Sequence, residues 1–135
     1  MSDSGPEEEA ALPTVLVVED EFLVRQTIID YLGECGYCVL EAADGDEARE
    51  ILDSGAPIDL VFSDVRMPGQ MDGLALAQWI RQHRPGMPVI LTSGDARTVP
   101  TAAFCDRFLN KPYGPTEILQ HIRMLIQTGR PTGSS

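Results

Sequence analysis

Thr14-Val15-Leu16-Val17-Val18-Glu19-Asp20-Glu21 is the stretch whose reading decides the fold. Thr14 to Val18 is short, apolar and rich in β-branched residues, with no polar residue alternating. That is the pattern of a parallel strand buried on both faces. The run ends abruptly in acidic residues. Downstream, Val24, Ile28, Leu32 and Cys35 recur at helical spacing and line one face of a helix. Cys38 to Ala42 reads as a second strand, and Asp44 with Glu47 resembles a capping box opening a helix striped by Ala48, Ile51 and Leu52.

The alternation continues along the chain. Leu60-Val61-Phe62 makes a third strand, and Leu74, Ala77 and Ile80 mark the helix after it. Val89-Ile90-Leu91, bounded by Pro88, is a fourth strand, and Arg107 to Asn110 a short fifth. Ile118, Ile122, Leu125 and Ile126 stripe a final helix that begins near Pro115. Five strands alternating with helices predict an α/β fold, an open parallel sheet covered on both faces, with right-handed crossovers. Gly94, Pro100 and several β-branched residues interrupt the stretch between Thr92 and Phe108, so the fourth helix is expected to be short or irregular. Residues 13–128 form the expected single domain, between a flexible acidic tail over 1–12 and a flexible tail over 129–135.

Composition narrows the function classes. The net charge of −11, from 21 acidic and 10 basic side chains, repels phosphate backbones and argues against direct nucleic-acid binding. No apolar run approaches the roughly 18 residues of a membrane span, and the acidic start does not resemble a signal peptide, so a cytoplasmic location is the expectation. Cys35-Gly36-Tyr37-Cys38 has the spacing of a redox pair, but it lies where a helix ends, the wrong pole of the helix dipole for a lowered thiol pKa. It is read as two small packing residues around a turn. Cys105, His83 and His121 lack the paired spacing of a zinc site.

The chemistry lies at the strand ends. Glu19 and Asp20 follow the first strand, Asp64 the third, Thr92 ends the fourth and Lys111 follows the fifth. In an open α/β sheet these share the carboxyl edge, where such folds bind ligands. Each alone has an ordinary explanation; Asp20, for example, could cap the first helix. Together, three crowded carboxylates repel unless a cation neutralises them, and hard oxygen donors suit Mg2+. Lys111 offers a positive charge to a phosphoryl oxygen and Thr92 a hydroxyl donor. An aspartate carboxylate is a competent nucleophile for acyl-phosphate formation. No sequence that cradles ATP is present, so the phosphoryl group must be delivered from elsewhere.

Val17-Val18-Glu19-Asp20-Glu21, Phe62 to Pro68, Met71-Asp72-Gly73, Leu91 to Gly94 and Asn110-Lys111-Pro112-Tyr113 together resemble the receiver domain of two-component response regulators. The resemblance covers Pro13 to about Thr128. It implies a flavodoxin-like three-layer sandwich with strand order 2-1-3-4-5 and a phosphoacceptor rather than an enzyme. Asp64 is then the phosphorylation site. Asp20, Asp64 and the Arg66 backbone carbonyl would ligate Mg2+, with Glu19 reaching it through water. Thr92 would be the switch hydroxyl, Lys111 the phosphate-pairing lysine before a cis Pro112, and Phe108 the aromatic switch residue. Arg66 and Gly94 would modulate phosphoryl lifetime from positions facing the attacking water.

The implied donor is a histidine kinase or histidine phosphotransfer protein, with output through an unidentified protein contact from a monomer or weak dimer. A phosphate shuttle or sink in a phosphorelay, or the receiver part of a hybrid histidine kinase, is the alternative. Departures from the family pattern are Glu19 in place of the first aspartate, Phe108 without a tyrosine hydroxyl, and one extra residue in the Pro68 to Met71 loop. A haloacid-dehalogenase-type phosphatase would need a second acid where Arg66 stands. A flavodoxin-like cofactor module would need a Ser, Thr or Gly-rich loop in place of Glu19-Asp20-Glu21. A pseudo-receiver is hard to reconcile with the complete Asp20, Asp64, Thr92 and Lys111 set.

Overall fold

A computed structural model describes residues 12–94 and 105–126. Its five strands are β1 (Thr14–Val18), β2 (Cys38–Ala42), β3 (Leu60–Asp64), β4 (Val89–Ser93) and β5 (Arg107–Asn110). They form one parallel sheet in the order β2-β1-β3-β4-β5, the order implied by the resemblance. Helices α1 (Phe22–Glu34), α2 (Gly45–Asp53), α3 (Gly73–His83) and α4 (Pro115–Ile126) lie within the described residues. The short or irregular helix expected between β4 and β5 falls mainly on residues 95–104, outside the described residues, as do nearly all of the two tails. Among the described residues no helix is long and apolar enough to cross a membrane.

The strand period of two sorts side chains onto two faces. Val15, Val17, Leu60, Phe62 and Ile90 face Ile28 and Leu32 of α1 and Ile118 and Ile122 of α4. Leu16, Val18, Val61, Val89 and Leu91 face Ala48 and Leu52 of α2 and Leu76, Ala77 and Ile80 of α3. With both faces covered, β3 and β4 are buried throughout, whereas edge strand β2 leaves Cys38, Leu40 and Glu41 exposed.

Two strands outrun their apolar signal. Periodicity ends β3 at Phe62 and β4 at Leu91, yet the ladder continues through the pair Asp64–Thr92, and the Val65 N–H donates to the Thr92 carbonyl at 2.8 Å. Asp64, read from the sequence as following the third strand, is therefore a strand residue, as Thr92 was expected to be, and both are held by main-chain pairing that polar side chains do not disturb. Helix ends follow local rules. Gly36 takes φ of 99°, its N–H donates to Gly33 O and that of Tyr37 to Leu32 O, a Schellman ending that accounts for the C-x-x-C spacing as a turn. The cysteines are free. Asp44 accepts from the Glu47 N–H at 2.8 Å, while the Glu47 carboxylate reaches back to the Ala43 N–H, one residue earlier than in a regular capping box. Glu21, with no side-chain cap bond, is the N-cap of α1. The capping role considered for Asp20 is not realised.

Gly73 starts α3 where the chain passes directly over β3, its N–H donating to the Val65 carbonyl at 2.8 Å. A Cβ there would fall onto the Asp64 carbonyl oxygen and against Val65 Cα, both backbone atoms that cannot swing away. Gly33, inside α1, has nothing within 4 Å of a Cβ. Gly73→Ala is expected to destabilise the chain by about 2 kcal/mol or more, whereas Gly33→Ala should stabilise it by roughly 0.5–1 kcal/mol. Urea denaturation of both variants tests the contrast, and equal effects would contradict the packing.

Candidate functional site

The carboxyl edge of β1, β3, β4 and β5 gathers the polar residues. Glu19 and Asp20 lie just past β1, where the Glu19 N–H donates to the Ala42 carbonyl at 3.1 Å. Asp64 ends β3. One carboxylate oxygen from each of Glu19, Asp20 and Asp64 falls within 4.8 Å of the others. The Lys111 N–H donates to the Ser93 carbonyl at 2.9 Å, which turns the lysine back over the edge. Its Nζ then reaches Asp64 Oδ2 at 3.0 Å and Glu19 Oε1 at 3.9 Å. The peptide between Lys111 and Pro112 is cis.

Burial sets the electrostatics. Glu19 is only 2% exposed. Loss of hydration pushes its pKa from 4.5 up to about 7, against the lowering effects of the Glu21 N–H bond and Lys111, and with the help of Asp64 and Asp20. Burial pulls the Lys111 pKa down, but the hydrogen bond and charge of Asp64, with Glu19, more than reverse this and leave it raised. The Thr92 hydroxyl is buried and makes no hydrogen bond among the described residues. Tyr113, packed edge-on against Phe62 at 6.0 Å, brings its phenol close enough to Thr92 to be influenced by it but short of hydrogen-bonding geometry. Burial is the main cause of the raised Tyr113 pKa.

The remaining expected residues are less tightly grouped. Arg66 is exposed and lines an open cleft with Asp20, Met67, Pro68 and Asp72. A Cβ on Gly94 would rest against the Lys111 stem at 3.8 Å, ordinary van der Waals contact. Phe108 pairs with Leu91, one step before the Thr92–Leu109 pair, and packs half-buried against the α2/α3 core. Sequence reasoning passed over Arg25, which bonds the Glu19 carbonyl from α1, and gave Tyr113 no role. Nothing in the spacing of Arg25 marks it, because its partners come from two other elements.

Residues 15–123 match the family described as the response regulator receiver domain. The transcriptional regulatory protein AruR of Pseudomonas aeruginosa is 35% identical over 93% of this chain and 54% of its own length. The sensor kinase CckA of Brucella abortus is 38% identical over 84% of this chain and 12% of its own. The chain thus spans about half, or far less, of the length of these relatives. The response regulator TrrA of Thermotoga maritima, whose crystal structure is a complex with Mg2+ and beryllium fluoride, superimposes with a TM-score of 0.77 at 29% identity, covering 84% of this chain and 99% of that one.

Two outcomes follow from the charges. Folded Glu19 holds its proton more tightly than unfolded Glu19 between pH 4.5 and about 7, so its contribution favours folding at acid pH and is lost as pH rises through 7. In metal-free protein, Glu19→Gln is expected to gain stability over the parent at pH 8, on the order of 2–3 kcal/mol, and to lose that gain by pH 4. Urea denaturation in EDTA measures it, and a difference independent of pH would contradict the assignment. Lys111 is also the one lysine in the 135 residues. Amine acylation mapped by peptide mass should proceed faster at Lys111 in Asp64→Asn, where the ion pair that holds the ammonium is removed.

Proposed function

The chain belongs to the response regulator receiver domain family, and from that premise we propose that Asp64 accepts a phosphoryl group from a histidine-bearing partner, with Mg2+ at the acidic cluster. A receiver domain acts in two-component signalling and is not a classical enzyme; receiver domains are phosphorylated by histidine kinases. The observation that carries the assignment to Asp64 is its position between the Lys111 ammonium at 3.0 Å and two further carboxylates.

The donor set fits Mg2+, since Glu19, Asp20 and Asp64 offer only hard oxygens, and burial, with the charges of Asp64 and Asp20 adding to it, drives Glu19 toward its protonated form despite Lys111. Asp20 and Asp64 would hold the ion with the Arg66 carbonyl, and Glu19 through water. When bound, Mg2+ supplies positive charge that offsets the charge of the transferred group. A carboxylate oxygen of Asp64 attacks phosphorus as the phosphorus–nitrogen bond of the donor imidazole breaks. Lys111 pairs with one phosphoryl oxygen, and the unbonded Thr92 hydroxyl is available to donate to another. Arg66 and Gly94 border the site and would set how readily water reaches the acyl phosphate. Phe108 and Thr92, in adjacent register positions, would report the event.

A docking place for the donor is supported by an apolar groove between α1 and α4, lined by Val24, Thr27, Ile28, Tyr31, Tyr113 and Pro115. Phe22 and Leu23, 60% and 76% exposed, stand at the start of α1, beside the acidic loop. Such a surface suits the apolar face of a partner helix. The likeness to both a transcriptional regulator and a sensor kinase is compatible with either output through protein contact or service as the receiver of a hybrid kinase.

Incubation with a small acyl-phosphate donor and Mg2+ is expected to add about 80 Da, the mass of one phosphoryl group. The addition should be absent in Asp64→Asn and in EDTA. Intact-mass measurement decides, and an unmodified parent or a modified Asp64→Asn would overturn the proposal.

A further inference from the structure

Arg25 lies in α1, outside the acidic cluster, yet its guanidinium joins three elements. One Nη donates to the backbone carbonyl of Glu19 at 2.7 Å, and Nε donates to Glu41 Oε1 of β2 at 2.7 Å. Gln26 donates to the same Glu41 oxygen at 3.0 Å. The guanidinium also sits 5.5 Å from the centre of the Phe22 ring, and the Arg25 side chain is largely buried while Glu41 is half-exposed. A planar fork bonded through two of its nitrogens and lying over an aromatic ring has little freedom left.

The carbonyl it holds belongs to the peptide that joins Glu19 to Asp20. The other side of Glu19 is already tied, its N–H to Ala42 O and its carboxylate to the Glu21 N–H. Fixing the carbonyl sets the plane of the next peptide, and with it the direction in which Asp20 leaves the backbone. Asp20 is exposed, and in contrast to Glu19 and Asp64 it has no burial to hold it. The Arg25 bond therefore acts on the acidic residue with the greatest freedom to turn away from the cluster.

We propose that Arg25 is a positioning residue for the acidic pair, anchored by Glu41, so that cation affinity at Glu19, Asp20 and Asp64 depends on the hydrogen bond from Arg25 to the edge strand. The inference rests on the Mg2+ site proposed above. A lysine at position 25 keeps the charge but has a single nitrogen, which cannot bridge the Glu41 carboxylate and the Glu19 carbonyl as the fork does. Glutamine at position 41 keeps an acceptor oxygen for Nε.

Calorimetric titration of the full chain with Mg2+ at pH 8 tests this, alongside urea denaturation in EDTA. Arg25→Lys and Glu41→Ala are expected to weaken Mg2+ binding by about tenfold, as for other residues that orient metal ligands, while Glu41→Gln stays within about threefold of the parent. Glu41→Ala changes a half-exposed side chain and leaves the interior filled, so it keeps the test open should the Arg25 variant fold poorly. A purely structural role would lower metal-free stability and leave Mg2+ affinity unchanged, and that result overturns the proposal. Failure of the parent chain itself to bind Mg2+ overturns both this inference and the reading of the site on which it rests.

Discussion

The ion pair between Lys111 and Asp64 is the constraint around which the carboxyl edge is organised. Three carboxylates within 4.8 Å of one another repel, and little water reaches Glu19 or Asp64 to screen that repulsion. Lys111 brings a side-chain cation within 4 Å of both Glu19 and Asp64. It arrives from β5, two strands from β3, because parallel pairing stacks the strand ends at one edge. Loss of the parallel register would separate the lysine from the acids and leave the acids uncompensated.

The site is unfavourable to folding considered alone. A buried carboxylate with its pKa driven to about 7 and a buried hydroxyl with no partner among the described residues both forfeit hydration without full replacement. Such groups persist because the strands that carry them are anchored elsewhere. Leu16, Val18, Leu60, Phe62, Ile90 and Leu91 are buried beneath helices on both faces, and their apolar burial offsets the polar edge. The uncompensated polarity is also what makes the edge responsive, since a cation and a phosphoryl group supply the missing partners.

The glycines and Arg25 show a second form of control. Gly73 lets the start of α3 rest on the Asp64 carbonyl, and Gly45 lets α2 approach the Met71 carbonyl. Together they seat the Val65 to Gly73 segment, which carries the Arg66 carbonyl, against the sheet edge. Arg25 does the equivalent for the loop after β1. Both of these segments are thus held by contacts to the backbone rather than to the carboxylates of the cluster.

Much of this was legible in the chain because it depends on neighbours in sequence. The β-branched run at Thr14, the stripe of Val24, Ile28 and Leu32, the Asp44 cap and the Gly36 ending are short-range patterns, and the elements form where those patterns lie. Carboxyl-edge placement of Glu19, Asp20, Asp64, Thr92 and Lys111 followed from alternation alone. The extra length of β3 and β4 was not legible, since main-chain pairing between strands carries no side-chain signature. The failure of Asp20 to cap α1 was equally hidden, because the choice of Glu21 depends on how the chain leaves the sheet. Sequence by itself determined the alternation of strands and helices and the acidic, lysine-matched chemistry of one edge, because apolar period and residue type are local properties. Only the tertiary structure decided the raised Glu19 pKa, the unbonded Thr92 hydroxyl and the bridge from Arg25 to Glu41. Those arise from burial and from contacts between residues far apart along the chain.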